Sequence, residues 1–121
     1  MDIKIENQES CMVLALGGRF DADIALRFGE RVDFEIEKRA GDKTIDFDLI
    51  VDMEHVTYIS SGGIRVFLSL HEKMRGTGGV LALCNLQTLV ARVINVAGLF
   101  AVFNIYASVE DARDRIAEGQ G

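Results

Sequence analysis

In the stretch TYISSGGIRVF (57–67), two adjacent hydroxyls, Ser60 and Ser61, stand between an apolar β-prone run and apolar residues at helical spacing. Serine in that position supports three kinds of chemistry: helix capping, nucleophilic attack, or acceptance of a phosphoryl group. Capping needs one oxygen, which takes a backbone N–H otherwise left unpaired and contributes about 1 kcal/mol. If Ser60 fills that role, Ser61 lies in the first helical turn with no structural duty. The positive end of the helix dipole there tolerates a phosphate, which adds about −1.5 to −2 charges at neutral pH. The residues alone leave plain capping and a phosphorylation switch both open. Nucleophilic hydrolysis is disfavoured: Gly-x-Ser-x-Gly is not met, since Ile59 stands two before Ser61 and Tyr58 two before Ser60, and the only later histidine is His71 on the same predicted helix.

Other chemistry-bearing residues are sparse. No Gly-x-x-x-x-Gly-Lys-Ser/Thr loop occurs, and the glycines of GTGG (76–79) lie where a helix enters a strand, the wrong end for a phosphate cradle. His55 and His71 flank the serine loop and share no ligand spacing with Cys11 or Cys84, so no metal and no cofactor is expected. Each histidine reads as a surface or half-buried side chain. Both cysteines fall in apolar runs and read as small core residues of a reducing compartment. Asp21 and Asp23 offer a helix cap or a contact. Tyr58 serves as a partner anchor or a core residue, Arg65 as a partner for an acidic group or a solvated side chain, and GLF (98–100) as an apolar corner or a helix stop.

The elements that must position these residues follow from periodicity. DIKIE (2–6) alternates as a half-buried strand, and CMVLALGG (11–18) is an apolar run stopped by two glycines, so a hairpin turns at NQES. Ile24, Phe28, Val32 and Ile36 recur every fourth residue, giving one amphipathic helix capped by Asp21 or Asp23. DFDLIVDM (46–53) reads as an interior parallel strand, with VTYI (56–59) a short run of unclear type. A second helix starts at the serines and carries Ile64, Phe67, Leu68, Leu70 and Met74. VLALC (80–84) is a buried strand, Asn85 is offered as cap to a helix with Leu89, Val90, Val93 and Ile94, AVFNIYA (101–107) adds a short strand, and SVED (108–111) opens a last helix. The order β-β-α-β-α-β-α-β-α implies an α/β domain: a small, mostly parallel sheet with an N-terminal hairpin and about four helices.

Composition bounds the function. The 121 residues, 49% hydrophobic, suit one domain over 1–121, with a core of 2–117 and a fraying tail at 118–121. The 13 Lys and Arg against 19 Asp and Glu leave a net charge of −6, which disfavours generic nucleic-acid or anionic-membrane binding. No apolar run approaches the roughly 18 residues that cross a bilayer, and the N-terminus lacks the pattern of a signal peptide, so a cytoplasmic protein is expected.

The segment YISSGGIRVF (58–67), with LIVDM (49–53) before it and GGVLALCNL (78–86) and VINVAGLFAVFNIYASVEDA (93–112) after it, resembles the STAS domain family of anti-sigma factor antagonists. LGGRFDA (16–22) matches the family's segment after the first hairpin, so the resemblance covers nearly the whole chain. It implies a binding protein and not an enzyme. By resemblance, Ser61 is the phospho-acceptor of an anti-sigma serine kinase of the GHKL ATPase type, and a PP2C-type phosphatase restores the free hydroxyl. Ser60, Gly62 and Gly63 shape the loop that the kinase grips, with Arg65, Tyr58, Asp21 and Asp23 beside it. The best-known members carry an acidic residue before the serines, where this chain has Ile59. Two glycines in a first helical turn cost up to about 1 kcal/mol each against alanine, which implies a close backbone approach, to a partner or to a nucleotide phosphate it holds. The rival expectation is a constitutive scaffold or binding subunit of a signalling or lipid-transport complex, in which the serines only cap.

Overall fold

A computed structural model describes residues 3–119. The elements follow the expected order: β1 (Ile3–Asn7), β2 (Cys11–Phe20), α1 (Ala22–Ala40), β3 (Asp48–Ile59), α2 (Ser61–Gly76), β4 (Leu81–Cys84), α3 (Thr88–Val96), β5 (Asn104–Tyr106) and α4 (Val109–Ala117). They form a single five-stranded sheet in the order β1-β2-β3-β4-β5. Only the β1–β2 hairpin is antiparallel; every later pair is parallel.

Side-chain alternation along the strands sorts the core into two layers. Met12, Leu14 and Leu16 of β2, Leu49, Val51 and Met53 of β3, and Leu81 and Leu83 of β4 face α1, α2 and α3, where they meet Phe28, Val32, Phe67, Met74, Val90 and Ile94. The intervening Cys11, Val13, Ile50, Ala82 and Cys84 face the other way, toward Ala112 of α4. Three helices therefore cover one face and a single short helix the other. Both cysteines are buried and free. Burial pushes the Cys84 thiol up to about 12, keeping it neutral and inert as a nucleophile at physiological pH. His71 is more buried than its sequence context implied, packed edge-on against Phe103.

Three local readings are corrected. β3 does not stop at Met53: VTYI belongs to the same strand, which runs seven residues past the end of its pairing with β4 and stays paired to β2 as far as Ile59. β2 likewise passes through Gly17 and Gly18 to Phe20, because the glycines absorb register shifts against β3 instead of ending the strand. Gly18 does so with φ of 81°, a conformation open to glycine at little cost. Asn85 is not a helix cap: it adopts φ of 57° and its amide donates to Asp52 Oδ1 at 3.0 Å, while Gln87 precedes α3 without a side-chain cap bond.

Candidate functional site

The long β2 and β3 carry Phe20 and Ile59 side by side to the same end of the sheet, where α1 and α2 begin together. Each helix opens on a capped residue. Asp21 Oδ1 accepts the Ile24 N–H at 3.0 Å, which makes Asp21 and not Asp23 the cap of α1; Asp23, in the first turn, pairs with Arg27 at 3.3 Å.

Ser60 caps α2 and is fully engaged. Its Oγ accepts the Gly63 N–H at 3.1 Å and donates to the Phe20 carbonyl at 3.4 Å, which also accepts the Ser60 N–H at 3.0 Å. Ser61, the first residue of α2, is exposed, and its hydroxyl holds no hydrogen bond among the described residues. One serine builds the helix start and its neighbour is left chemically unspent. No acidic residue occupies the first turn of α2, so nothing on that turn repels an incoming phosphate.

The two glycines have a reason the sequence did not disclose. A Cβ on Gly63 would sit 2.6 Å from the Phe20 ring and 3.0 Å from its carbonyl oxygen, and one on Gly62 would lie 2.8 Å from Ala22 Cβ. The close approach is to the protein's own α1 entrance, and no partner or nucleotide is needed to explain it. Ala22 is thus a site residue that sequence reasoning missed; no local pattern marks a small residue as the far side of a contact 40 positions away.

Tyr58 and Arg65 take opposite sides. Tyr58, next to buried Ile59, points to the face away from α1 and α2, partly exposed at 38%, with the Arg19 guanidinium 4.1 Å above its ring. Arg65 is exposed on α2 and lines a groove of about 370 Å³ between α1 and α2 with Leu26, Glu30, Val66 and others. The structure therefore gathers Ser60, Ser61, Gly62, Gly63, Asp21 and Asp23 at one corner, with Arg65 one turn below and Tyr58 around the sheet edge. The GLF segment has both expected characters: Gly98, at φ of 76°, ends α3, and Phe100 is left half-exposed beside a separate cleft with Glu54, Gln87 and Tyr106.

Hydrolysis gains no support from this geometry. His71 lies about three turns along α2 from Ser61 and is buried against Phe103. His55 is an exposed residue of β3 whose Nε2 lies 4.0 Å from a Glu54 carboxylate oxygen. Among the described residues no His, Cys, Asp and Glu side chains cluster to hold a metal, and no helix is long and apolar enough to cross a membrane.

The model of the STAS domain matches residues 2–112. The chain belongs to the STAS domain family. Among curated relatives, the anti-sigma F factor antagonist of Paenibacillus polymyxa is 22% identical over 106 residues, spanning 88% of this chain and 86% of that protein. Among solved structures, TM1081 of Thermotoga maritima superimposes with a TM-score of 0.83 at 18% identity, covering 95% of this chain and 94% of the other. The phosphorylated form of the Bacillus cell fate determinant SpoIIAA gives 0.68 at 21% identity, over 95% and 99%. At such identities the structural likeness speaks for the STAS fold.

Proposed function

We propose that this protein is an anti-sigma factor antagonist that works by partner switching in the cytoplasm, with Ser61 as its phospho-acceptor. The observation that carries the reading is the division of labour in the serine pair: Ser60 is saturated as a cap, and Ser61 presents a free, exposed hydroxyl at a helix start. The relatives named above agree with this reading.

The unphosphorylated protein binds an anti-sigma factor that is itself a serine kinase of the GHKL ATPase type, and so releases a sigma factor. The kinase transfers the γ-phosphoryl group of ATP to Ser61 Oγ. A new P–O bond forms as the bond to the ADP oxygen breaks, and the hydroxyl proton passes to a base on the kinase. The product keeps its fold, because a phosphate at N1 meets exposed N–H groups and the positive end of the α2 dipole. Docking is lost through added charge and bulk on the contact face, and a PP2C-type phosphatase reverses the change. Ser60, Gly62, Gly63, Asp21 and Asp23 shape that face, with Arg65 and Tyr58 at its margins. Gly63 is buried and acts by letting Ser60 and Phe20 close up, not by touching a partner.

Intact mass and peptide mapping after incubation with ATP and the cognate kinase test the proposal. One phosphate that persists in Ser60→Ala and disappears in Ser61→Ala is the expected result. Absence of phosphate despite tight kinase binding turns the reading to a constitutive binding module in which the serines only shape the corner.

A further inference from the structure

Arg65 follows Ser61 by four residues on the exposed side of α2, a spacing at which helical side chains meet, with Cβ atoms about 5–6 Å apart. Its guanidinium has no ion pair or hydrogen-bond acceptor among the described residues. The other cations around the corner are engaged: Arg19 over the Tyr58 ring, Arg27 with Asp23, and Lys73 with Asp33 at 2.9 Å. The acids near the corner make no ion pair with Arg65 either. Asp21 is taken up by the Ile24 N–H, Asp23 by Arg27, and Glu30, on the opposite groove wall, stays beyond ion-pair distance of Arg65. Among the described residues the groove thus holds one uncommitted cation, beside exposed Leu26 and half-buried Val66.

We propose that Arg65 is the residue through which a phosphate on Ser61 is read. In the unphosphorylated protein Arg65 faces an acidic group that the partner presents beside an apolar one; phosphoserine at 61 draws the guanidinium onto its own oxygens and withdraws it from the partner. The inference rests on Ser61 being the phospho-acceptor. An anion four residues N-terminal to a cation is the favourable order on a helix, and a guanidinium fork matches phosphate oxygens two at a time. The competition plays out within one turn and needs no change of backbone. That suits a helix start whose glycines leave no room to rearrange.

A full-length protein with phosphoserine installed at position 61 during translation allows a test without any kinase. Its phosphate is titrated by phosphorus NMR at low salt in the otherwise wild-type chain, in Arg65→Gln and in Arg65→Lys. The wild-type phosphate is expected to ionise below the usual value of about 6, with Arg65→Gln returning to it and Arg65→Lys falling between. Coincident titrations of the wild-type and Arg65→Gln proteins overturn the proposal. In the second arm, kinase affinity is measured for both phosphorylation states of both chains. Arg65→Gln is expected to weaken the unphosphorylated form about tenfold and to shrink the effect of the phosphate by a similar factor. A phosphate effect of equal size with and without Arg65 sinks it. Failure of ATP to label Ser61 strikes the function proposed above and with it the premise of this inference, whereas a flat phosphorus titration strikes only the role of Arg65.

Discussion

The two ends of the sheet differ in how completely their polar side chains are used. Where β2, β3 and β4 begin, polar side chains are consumed in tying the chain down. The Arg39 guanidinium, 4.2 Å above the Phe47 ring, donates to the carbonyls of Gln8, Glu9 and Cys11 at 2.7–3.0 Å and to Asn7 Oδ1 at 3.1 Å. Asp48 accepts the Val80 N–H at 2.9 Å, and Arg113 donates to Gln8 Oε1 at 2.7 Å. Where the strands finish, Asp21 and Ser60 cap their helices and the chain closes by backbone approach across Gly62 and Gly63, and among the described residues a hydroxyl and a guanidinium are left over. Stability is invested at the saturated end, and reactivity is available at the end whose groups remain uncommitted.

If that contrast is right, Arg39→Ala should be the most damaging change. It strips the charged donor from three carbonyls at once, for a loss of about 3 kcal/mol, read as a lowered urea midpoint. Arg39→Lys should recover only part, since an ammonium cannot reproduce the fork. Next comes Gly63→Ala, which drives a methyl group into the Phe20 ring and carbonyl and should cost about 2 kcal/mol. A neutral result there would mean that the α1 entrance yields and that the closed corner is softer than its geometry. The serine pair sharpens the contrast further. Ser60→Ala should lose about 1 kcal/mol, and Ser61→Ala should stay within about 0.5 kcal/mol of wild type. Equal losses from both would remove the division of labour on which the functional reading stands.

The smallest effect is silent at neutral pH. The folded Cys84 thiol resists ionisation up to about 12, against 9.0 for an ordinary thiol. Between those values the unfolded chain binds fewer protons than the folded one, so stability falls as pH rises through that window. Urea midpoints for Cys84→Ala should therefore decline less steeply above about pH 9 than those of wild type.

What the sequence disclosed follows the range of the interaction involved. Caps and helix faces are local, and Ser60 and Ser108 were legible from a few neighbouring residues, as was the α1 cap to within the pair Asp21 and Asp23; so was the order of all nine elements. The extent of β3 was not, because its second half, MEHVTYI, breaks the simple alternation where β2 shifts register. Asn85 misled because an Asn before a helical pattern signals a cap, and only the β3–β4 pairing brings Asp52 within reach of its amide. Arg39 carried no signal at all: it reads as one of several charges in the last turns of α1, and its acceptors lie about 30 positions earlier. The serine corner was legible as chemistry, while the cause of its glycines depended on Phe20 and Ala22, which only the fold brings there.

The seam between Ala22 and Gly62 also bears on how fast a partner is caught. With the starts of α1 and α2 wedged against each other, the face proposed to meet the partner is formed before any encounter, and no segment of it would need to be ordered on binding. Capture should then follow a single bimolecular step whose rate rises in proportion to partner concentration, without the plateau that a slow rearrangement would impose.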